Sequence, residues 1–157
     1  MNNAHHESGN DAFVKVRFSL EKSDWHSHAF ESLWSEDIGN RHYRIDNIPF
    51  YIFGISDRDI VSAKQSGGEL DFVRVVERGG HSTYRIFCQD PDAPDLFEIY
   101  WKPLESLGCH HEKGTPGLVA VDVPPTTDVY EAYRLLEIGE EAGVWGFEEA
   151  HYGHISR

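Results

Sequence analysis

The chain has few cysteines, few basic residues and no long apolar segment. Its 157 residues include two cysteines, Cys88 and Cys109, which are too few for the disulfide network that stabilises many small secreted proteins. The polar N-terminal sequence does not resemble a signal peptide, so we expect a cytoplasmic protein with reduced thiols. A membrane-spanning helix needs about 20 predominantly apolar residues, and the sequence has no such run.

Basic residues are outnumbered by acidic ones. The chain has 14 lysines and arginines against 27 aspartates and glutamates, which gives a formal net charge of −13. Residues 91–157 contain 13 acidic and four basic residues, and so contribute −9 of this charge. Such a protein repels phosphate backbones, which disfavours nucleic acid as a partner. The acidity can serve solubility alone, or it can steer a basic protein towards the surface.

Apolar and polar residues alternate in short segments through the first ninety residues. In "AFVKVRFSL" the even-numbered positions Val14, Val16 and Phe18 form the apolar side of a strand. The next segment, "HAFESLWSEDI", predicts a strand with Phe30 and Trp34 as its buried side chains. Short strands at this spacing are typical of a small antiparallel β-barrel or a curled sheet.

Helical patterns follow in the second half of the chain. "PDAPDLFEIYWKPLESLG" predicts a helix that ends at Gly108 and is kinked or divided at Pro103. "TDVYEAYRLLEIGEEAG" predicts a second helix, capped by Asp128 and stopped by Gly143. Between them, "GLVAVDVPP" is almost continuously apolar and predicts a buried strand.

The order of these elements predicts the fold class. From Leu70 onwards the order β-β-α-β-α-β suits a ferredoxin-like split βαβ half with two helices on one face of an antiparallel sheet. We therefore predict an α+β fold, in which a small antiparallel β-barrel or curled sheet precedes this ferredoxin-like half. The predicted organisation is a disordered N-terminus at 1–11 and one compact domain at 12–154, with a β-rich lobe over about 12–69 and the ferredoxin-like lobe over about 70–154.

The stretch "LGCHHEKGTPG" places Cys109, His110, His111 and Glu112 side by side. Metal sites take their ligands from spaced residues that converge on one ion, which adjacent residues rarely do. Cys109 also follows a predicted helix C-terminus, where the helix dipole raises a thiol pKa and so opposes a role as nucleophile. We predict a connecting loop here, and no metal ion or other cofactor in the chain.

Two further polar clusters contain residues capable of catalysis. In "SDRD", Asp57 and Asp59 flank Arg58; paired carboxylates can act in acid–base catalysis, but in a turn they more often accept hydrogen bonds from backbone amides. In "GGHSTYR", His81 and Arg85 share one face of a strand. They could bind an anion or act as acid and base, unless Arg85 simply pairs with a carboxylate.

Five carboxylates lie within thirteen residues at the end of the second predicted helix and on the strand that follows. The candidate partner-binding residues of this region are Glu137, Glu140, Glu141, Trp145, Glu148 and Glu149. The charges would steer a basic partner and the aromatic residue would anchor it. Surface acid is also common in proteins without such a partner, so both interpretations stay open.

Several segments resemble a known family. They are "ESLW" (31–34), "YRIDNIPFYIFGISDRDIV" (43–61), "GGHSTYRIF" (79–87) and the closing "VDVPP…EEAHYGH". They resemble the bacterial domain-of-unknown-function family 4265, and the resemblance extends over about residues 13–154. It implies a small cytoplasmic bacterial protein and assigns no catalytic residues.

Two functional hypotheses remain. We predict a non-enzymatic module that neutralises or regulates a basic partner protein, most concretely an immunity protein against a bacterial toxin. The alternative is a small enzyme or ligand-binding domain with a polar pocket around His81 and Arg85. Alanine at either residue should abolish the activity of a pocket enzyme, whereas reversing the charge of the glutamates should weaken a charge-steered binder.

Overall fold

The computed structural model of the chain describes residues 12–23 and 25–155. The predicted disordered segment at residues 1–11 lies outside them. The described residues form nine strands and two helices with two separate sheets, which confirms the predicted α+β class. In chain order the elements are β1 (Phe13–Ser19), β2 (Phe30–Gly39), β3 (His42–Ile45), β4 (Ile60–Ser66), β5 (Glu69–Glu77), β6 (Ser82–Cys88), α1 (Pro94–Leu107), β7 (His110–Lys113), β8 (Leu118–Val123), α2 (Val129–Glu141) and β9 (Trp145–His151).

The first sheet contains β1 to β5 in chain order, each antiparallel to the next. It closes on itself because β1 also pairs with β5, in parallel, at Val16 and Leu70. Gly67 and Gly68 adopt positive φ angles in the hairpin turn between β4 and β5. Because β5 extends to Glu77, the first sheet continues beyond the 12–69 lobe expected from the sequence.

The core of the first sheet confirms the predicted face of β1 and corrects that of β2. Val16 and Phe18 are fully buried. In β2, however, the inward positions are Glu31, Leu33 and Ser35, whereas Phe30 is 51% exposed. The prediction that Phe30 points inwards is wrong, because two of the three inward positions of this strand carry polar residues.

The second sheet has the strand order β7-β8-β6-β9 and is antiparallel throughout. All six residues of β8 are buried, as its apolar sequence predicts. Both helices contribute to one core with the sheet: Trp101 of α1 and Leu136 of α2 pack with Ile86 and Val121 of the strands. The opposite face of this sheet is therefore the one available for contact with the first sheet.

The two helices begin and end largely as predicted. Asp128 caps α2 by accepting hydrogen bonds from the amides of Tyr130 and Glu131. Gly108, at a φ of 122°, ends α1. Of the two effects expected at Pro103, a kink or a division, the division does not occur, since α1 is continuous through this residue. Pro103 lacks an amide for the carbonyl of Ile99, but Ile99 is 65% exposed and water can satisfy that carbonyl.

The stretch "HHEK" is a strand and not the predicted loop. His110–Lys113 forms β7, an edge strand paired with β8. The hairpin is closed by a hydrogen bond of 2.8 Å from the amide of Gly114 to the carbonyl of Leu118. The prediction of a loop rests on the polarity of these residues. It is wrong because an edge strand needs few apolar side chains.

In the part of the chain that the structure describes, no helix is both long and apolar enough to cross a membrane. The thiols of Cys88 and Cys109 are free.

The contact between α2 and β9 yields a stability prediction. A Cβ atom at Gly139 would overlap the indole of Trp145, which is buried and donates a hydrogen bond to the carbonyl of Leu136. We expect Gly139→Ala to lower the free energy of unfolding by about 2 kcal/mol, because overpacking outweighs the helical preference of alanine. Denaturant-induced unfolding measures this loss.

Gly146 offers the matched control for this substitution. A Cβ atom there would meet no neighbour within 4 Å, so Gly146→Ala should change stability by no more than about 0.5 kcal/mol. Equal losses in the two variants, or no loss for Gly139→Ala, would contradict the packing described here.

Candidate functional site

The connection between β3 and β4, residues 46–59, lies between the two sheets. On the side of the first sheet it is held by Glu31 of β2, whose side-chain carboxylate accepts hydrogen bonds from three consecutive amides. The donors are Phe50 at 2.7 Å, Tyr51 at 3.1 Å and Ile52 at 2.9 Å. Bonds to an ionised acceptor are stronger than neutral ones, so this inward glutamate fixes the connection.

On the side of the second sheet the connection is held by Arg85 of β6. The Arg85 side chain is completely buried and donates a hydrogen bond to the carbonyl of Ile52. Its guanidinium lies over the ring of Phe53, and its Nη1 is 3.7 Å from a carboxylate oxygen of Glu148. Burial lowers the Arg85 pKa, against the opposing effects of Glu31 and Glu148. Arg85 therefore links the second sheet to the connection. Its approach to Glu148 fits the interpretation that it pairs with a carboxylate.

Asp59, the last residue of the connection, is bonded to Ser56 within the connection and to Arg78 and Gly79 before β6. Its carboxylate accepts hydrogen bonds from the amides of Ser56 and Gly79, both at 2.9 Å, and pairs with Arg78 at 3.0 Å. The predicted role of Asp59, acceptance of backbone amides in a turn, is confirmed. Asp59 is therefore fully engaged in holding the chain.

Ser56 joins the connection to β6 and β9. Its hydroxyl lies within hydrogen-bonding distance of the Thr83 hydroxyl and is 2.9 Å from Nδ1 of His151. Ser56 and Thr83 are fully buried, and burial also lowers the pKa of His151. A serine without access to solvent is a structural contact, although its pairing with an imidazole resembles a nucleophile with its base.

The junction cluster consists of Asp57, His81 and Asp122, which come from the connection, the residue before β6, and β8. Nδ1 of His81 lies 2.8 Å from Oδ1 of Asp122. One donor atom from each of the three residues lies within 4.8 Å of the others. Oδ1 of Asp57 is buried and has no hydrogen-bond partner in the described structure. The three side chains thus converge on one point between the sheets.

Burial and mutual charge perturb the pKa values of this cluster. Burial and the neighbouring charge of Asp122 together raise the pKa of Asp57 to about 7, against the opposing effect of His81. Burial alone would lower the pKa of His81, but the hydrogen bond and charge of Asp122 outweigh it and raise that pKa. Strongly shifted groups that converge in this way are typical of functional sites.

Two glycines allow the backbone to approach the cluster. A Cβ atom at Gly79 would lie 2.6 Å from the carbonyl oxygen of Arg58, and one at Gly153 would overlap the carbonyl of His81. Only residues without a side chain fit these positions. The segment that contains His81 is therefore enclosed by close backbone contacts on both sides.

The structure does not bring the predicted pair His81 and Arg85 into one group of contacts. His81 contacts Asp122, whereas Arg85 contacts Ile52 and approaches Glu148. The prediction missed Asp122, although it is the one charged residue in the buried strand "LVAVDV". A buried charge in an otherwise apolar strand is the signal that could have identified it.

The candidate partner-binding residues are only partly placed as expected. Trp145 is 1% exposed and donates a hydrogen bond to the carbonyl of Leu136, so it is a core residue and not an exposed anchor. Glu148 faces Arg85, on the side of the sheet away from the helices. The other four predicted residues, Glu137, Glu140, Glu141 and Glu149, are exposed.

The Cys109 stretch does not form a nucleophilic site. Cys109 is 2% exposed, and burial raises its pKa to about 12. His111 packs against the ring of Trp101 at 4.5 Å, and burial lowers its pKa. His110 is the cross-strand partner of Asp122. A thiol with such a pKa is protonated at neutral pH and is a poor nucleophile.

Comparison with known proteins identifies relatives without an assigned activity. A family model described as "Domain of unknown function (DUF4265)" matches residues 31–147. A solved structure described as "Novel crystal structure of a hypothetical protein from Neisseria gonorrhoeae" is similar, with a TM-score of 0.74 and 21% sequence identity. The similarity covers 90% of this chain and 98% of the other, and at this identity it establishes the fold alone. No curated protein matches the chain significantly.

Burial of Cys109 predicts selective thiol chemistry. In the native protein at neutral pH, iodoacetamide should modify the half-buried Cys88 slowly and leave Cys109 unmodified, because only a thiolate that reagent can reach reacts. Mass spectrometry of proteolytic peptides measures both. In denaturant both thiols should react equally. Native Cys109 reacting as fast as Cys88 would contradict its burial.

Proposed function

The chain belongs to the DUF4265 family, whose description assigns no activity, and we propose from its own geometry that it is a non-enzymatic module that binds a basic protein. The binding surface in this proposal is the acidic face, defined as Tyr133, Glu137, Glu140 and Glu141 of α2 together with Phe147 and Glu149 of β9. Binding there would neutralise or regulate the partner.

The single observation that carries the proposal is the charge of this face. Residues 135–156 contain five glutamates and neither lysine nor arginine. Four of the five carboxylates are exposed, and only Glu148 turns towards Arg85. A concentration of exposed charge of one sign attracts partners of the opposite sign and raises their rate of association.

The helix and the strand contribute to one continuous surface. Glu137 and Glu140 follow Tyr133 by four and seven positions and so lie on the same stripe of α2. The ring of Tyr133, itself 41% exposed, lies 5.4 Å from that of Phe147 on β9. β9 is one of the two edge strands of its sheet. Aromatic residues are enriched in protein interfaces, so Tyr133 and Phe147 would anchor a partner that the carboxylates steer towards them.

The carboxylates are unfavourable for the isolated protein. The last turn of α2 contains no basic residue, so Glu140 and Glu141 oppose the negative end of the helix dipole. Glu137 and Glu141 are also like charges at positions i and i+4. Each effect costs a few tenths of a kcal/mol. Lysines and arginines of a partner would remove both penalties, which supports a basic partner.

The most concrete form of the proposal is an immunity protein that inhibits a basic bacterial toxin in the cytoplasm. The net charge of −13 suits such a partner. We also infer the finer fold assignment: the order β6-α1-β7-β8-α2-β9 with strands β7-β8-β6-β9 fits a ferredoxin-like half, and the closed five-stranded sheet fits a small barrel.

Charge reversal tests the proposal. A partner captured by the wild-type protein from bacterial lysate is purified, and its binding kinetics are measured at low and high salt. We expect the variant with Glu137→Lys, Glu140→Lys, Glu141→Lys and Glu149→Lys to bind at least about tenfold more weakly, mainly through a slower association rate. The association rate of the wild type should fall with added salt, because salt screens exposed charges.

A control variant has the same net charge as the charge-reversal variant, but its four lysines lie outside the acidic face. It carries Glu21→Lys, Glu69→Lys, Glu77→Lys and Glu105→Lys, all at exposed positions outside the acidic face. Its affinity should stay within about twofold of the wild type. If the face variant binds as well as the wild type, or if both variants lose affinity equally, the acidic face is not the binding surface.

A further inference from the structure

The junction cluster has the donor atoms of a metal site. Asp57 and Asp122 supply carboxylate oxygens and His81 an imidazole nitrogen, from three distant parts of the sequence. Their donor atoms lie within 4.8 Å of one another. Bonds of about 2.0–2.2 Å to a tetrahedral ion place ligand atoms about 3.3–3.6 Å apart, so side-chain shifts of about 1 Å would complete the geometry.

A second observation points to a missing ligand. Oδ1 of Asp57 is inaccessible to solvent and has no hydrogen-bond partner among the described residues. A buried carboxylate oxygen without a partner is unfavourable. Asp59, two positions along the chain, has both of its oxygens bonded. The connection could therefore satisfy its aspartates internally, but it directs Asp57 towards His81 and Asp122.

The charges around the cluster also favour a cation. The charged groups that act on Asp57 and His81 include the carboxylates of Asp46, Asp59 and Asp122 and the guanidinium of Arg58. Arg78 is already paired with Asp59, and Arg58 is exposed. When both are ionised, the carboxylates of Asp57 and Asp122 match the charge of one divalent cation.

We propose that Asp57, His81 and Asp122 bind one divalent first-row transition-metal ion. Carboxylate and imidazole ligands together suit Zn²⁺ and Mn²⁺, and the usual order of affinities places Zn²⁺ above Mn²⁺. Mg²⁺ prefers oxygen ligands and retains its water, so it binds more weakly. Three protein ligands leave a fourth position of the ion for water, as in sites that are not purely structural. This site lies outside the acidic face and does not depend on the binding proposed there.

Calorimetry on chelator-stripped protein tests the site with the metal chlorides alone. We expect one Zn²⁺ per molecule, weaker binding of Mn²⁺ and little binding of Mg²⁺. Asp57→Asn and His81→Gln should each weaken Zn²⁺ binding at least about tenfold. Zn²⁺ should also raise the unfolding temperature of the wild type and not that of Asp57→Asn.

Two controls keep the test decisive. Zn²⁺ can also bind surface histidines, and the rings of His26 and His28 lie 5.8 Å apart. A surface-histidine variant with alanine at His26 and His28 should therefore retain the one-to-one binding. Asp57→Asn keeps the side-chain shape and removes a buried charge, so without metal it should unfold at no lower temperature than the wild type.

The outcomes separate clearly. Loss of Zn²⁺ binding in a well-folded Asp57→Asn, with binding retained in the surface-histidine variant, supports the site. The proposal is overturned if wild-type protein binds none of the metals. It is equally overturned if Asp57→Asn and His81→Gln bind Zn²⁺ as the wild type does, or if only the surface-histidine variant loses it.

Discussion

The carboxylate of Glu31 is the interaction on which the relation between the two sheets depends. It points into the protein from β2 and accepts the amides of Phe50, Tyr51 and Ile52, which belong to neither sheet. These three amides have no partner strand, so the carboxylate of Glu31 supplies the hydrogen bonds that a neighbouring strand would otherwise supply. Arg85 binds the Ile52 carbonyl from the other sheet, so the connection is fixed from both sides.

The two proposed sites lie on opposite faces of the second sheet. Asp57 meets Asp122 on the face that contacts the first sheet. Tyr84, which alternates with Thr83 and Arg85 along β6, points to the helices, where its hydroxyl donates to Glu149 of the acidic face. A charge change on one face leaves the contacts of the other intact. Metal binding and partner binding can therefore be separated by substitution.

The sequence predicts what depends on neighbouring residues. The cap at Asp128 and the buried strand β8 follow from local patterns, and the structure confirms them. The inward position of Glu31 does not follow from local patterns, because its hydrogen-bond donors lie 19 to 21 residues away in the sequence. The junction cluster is harder still to predict, because its prediction requires the register of β6 with β8 and the path of the connection. Trp145 illustrates the same limit: its aromatic ring suits an interface or a core equally, and only the packing against Gly139 decides.

Amide hydrogen exchange, measured by NMR at Phe50, Tyr51 and Ile52, tests the central claim most directly. These residues lie outside the helices and strands, where exposed loop amides ordinarily exchange fast. If Glu31 holds them as described, their protection should approach that of the amides in β6. Rapid exchange at all three positions, in protein whose β6 amides are protected, would show that the connection is not clamped and that the junction cluster is not held in place.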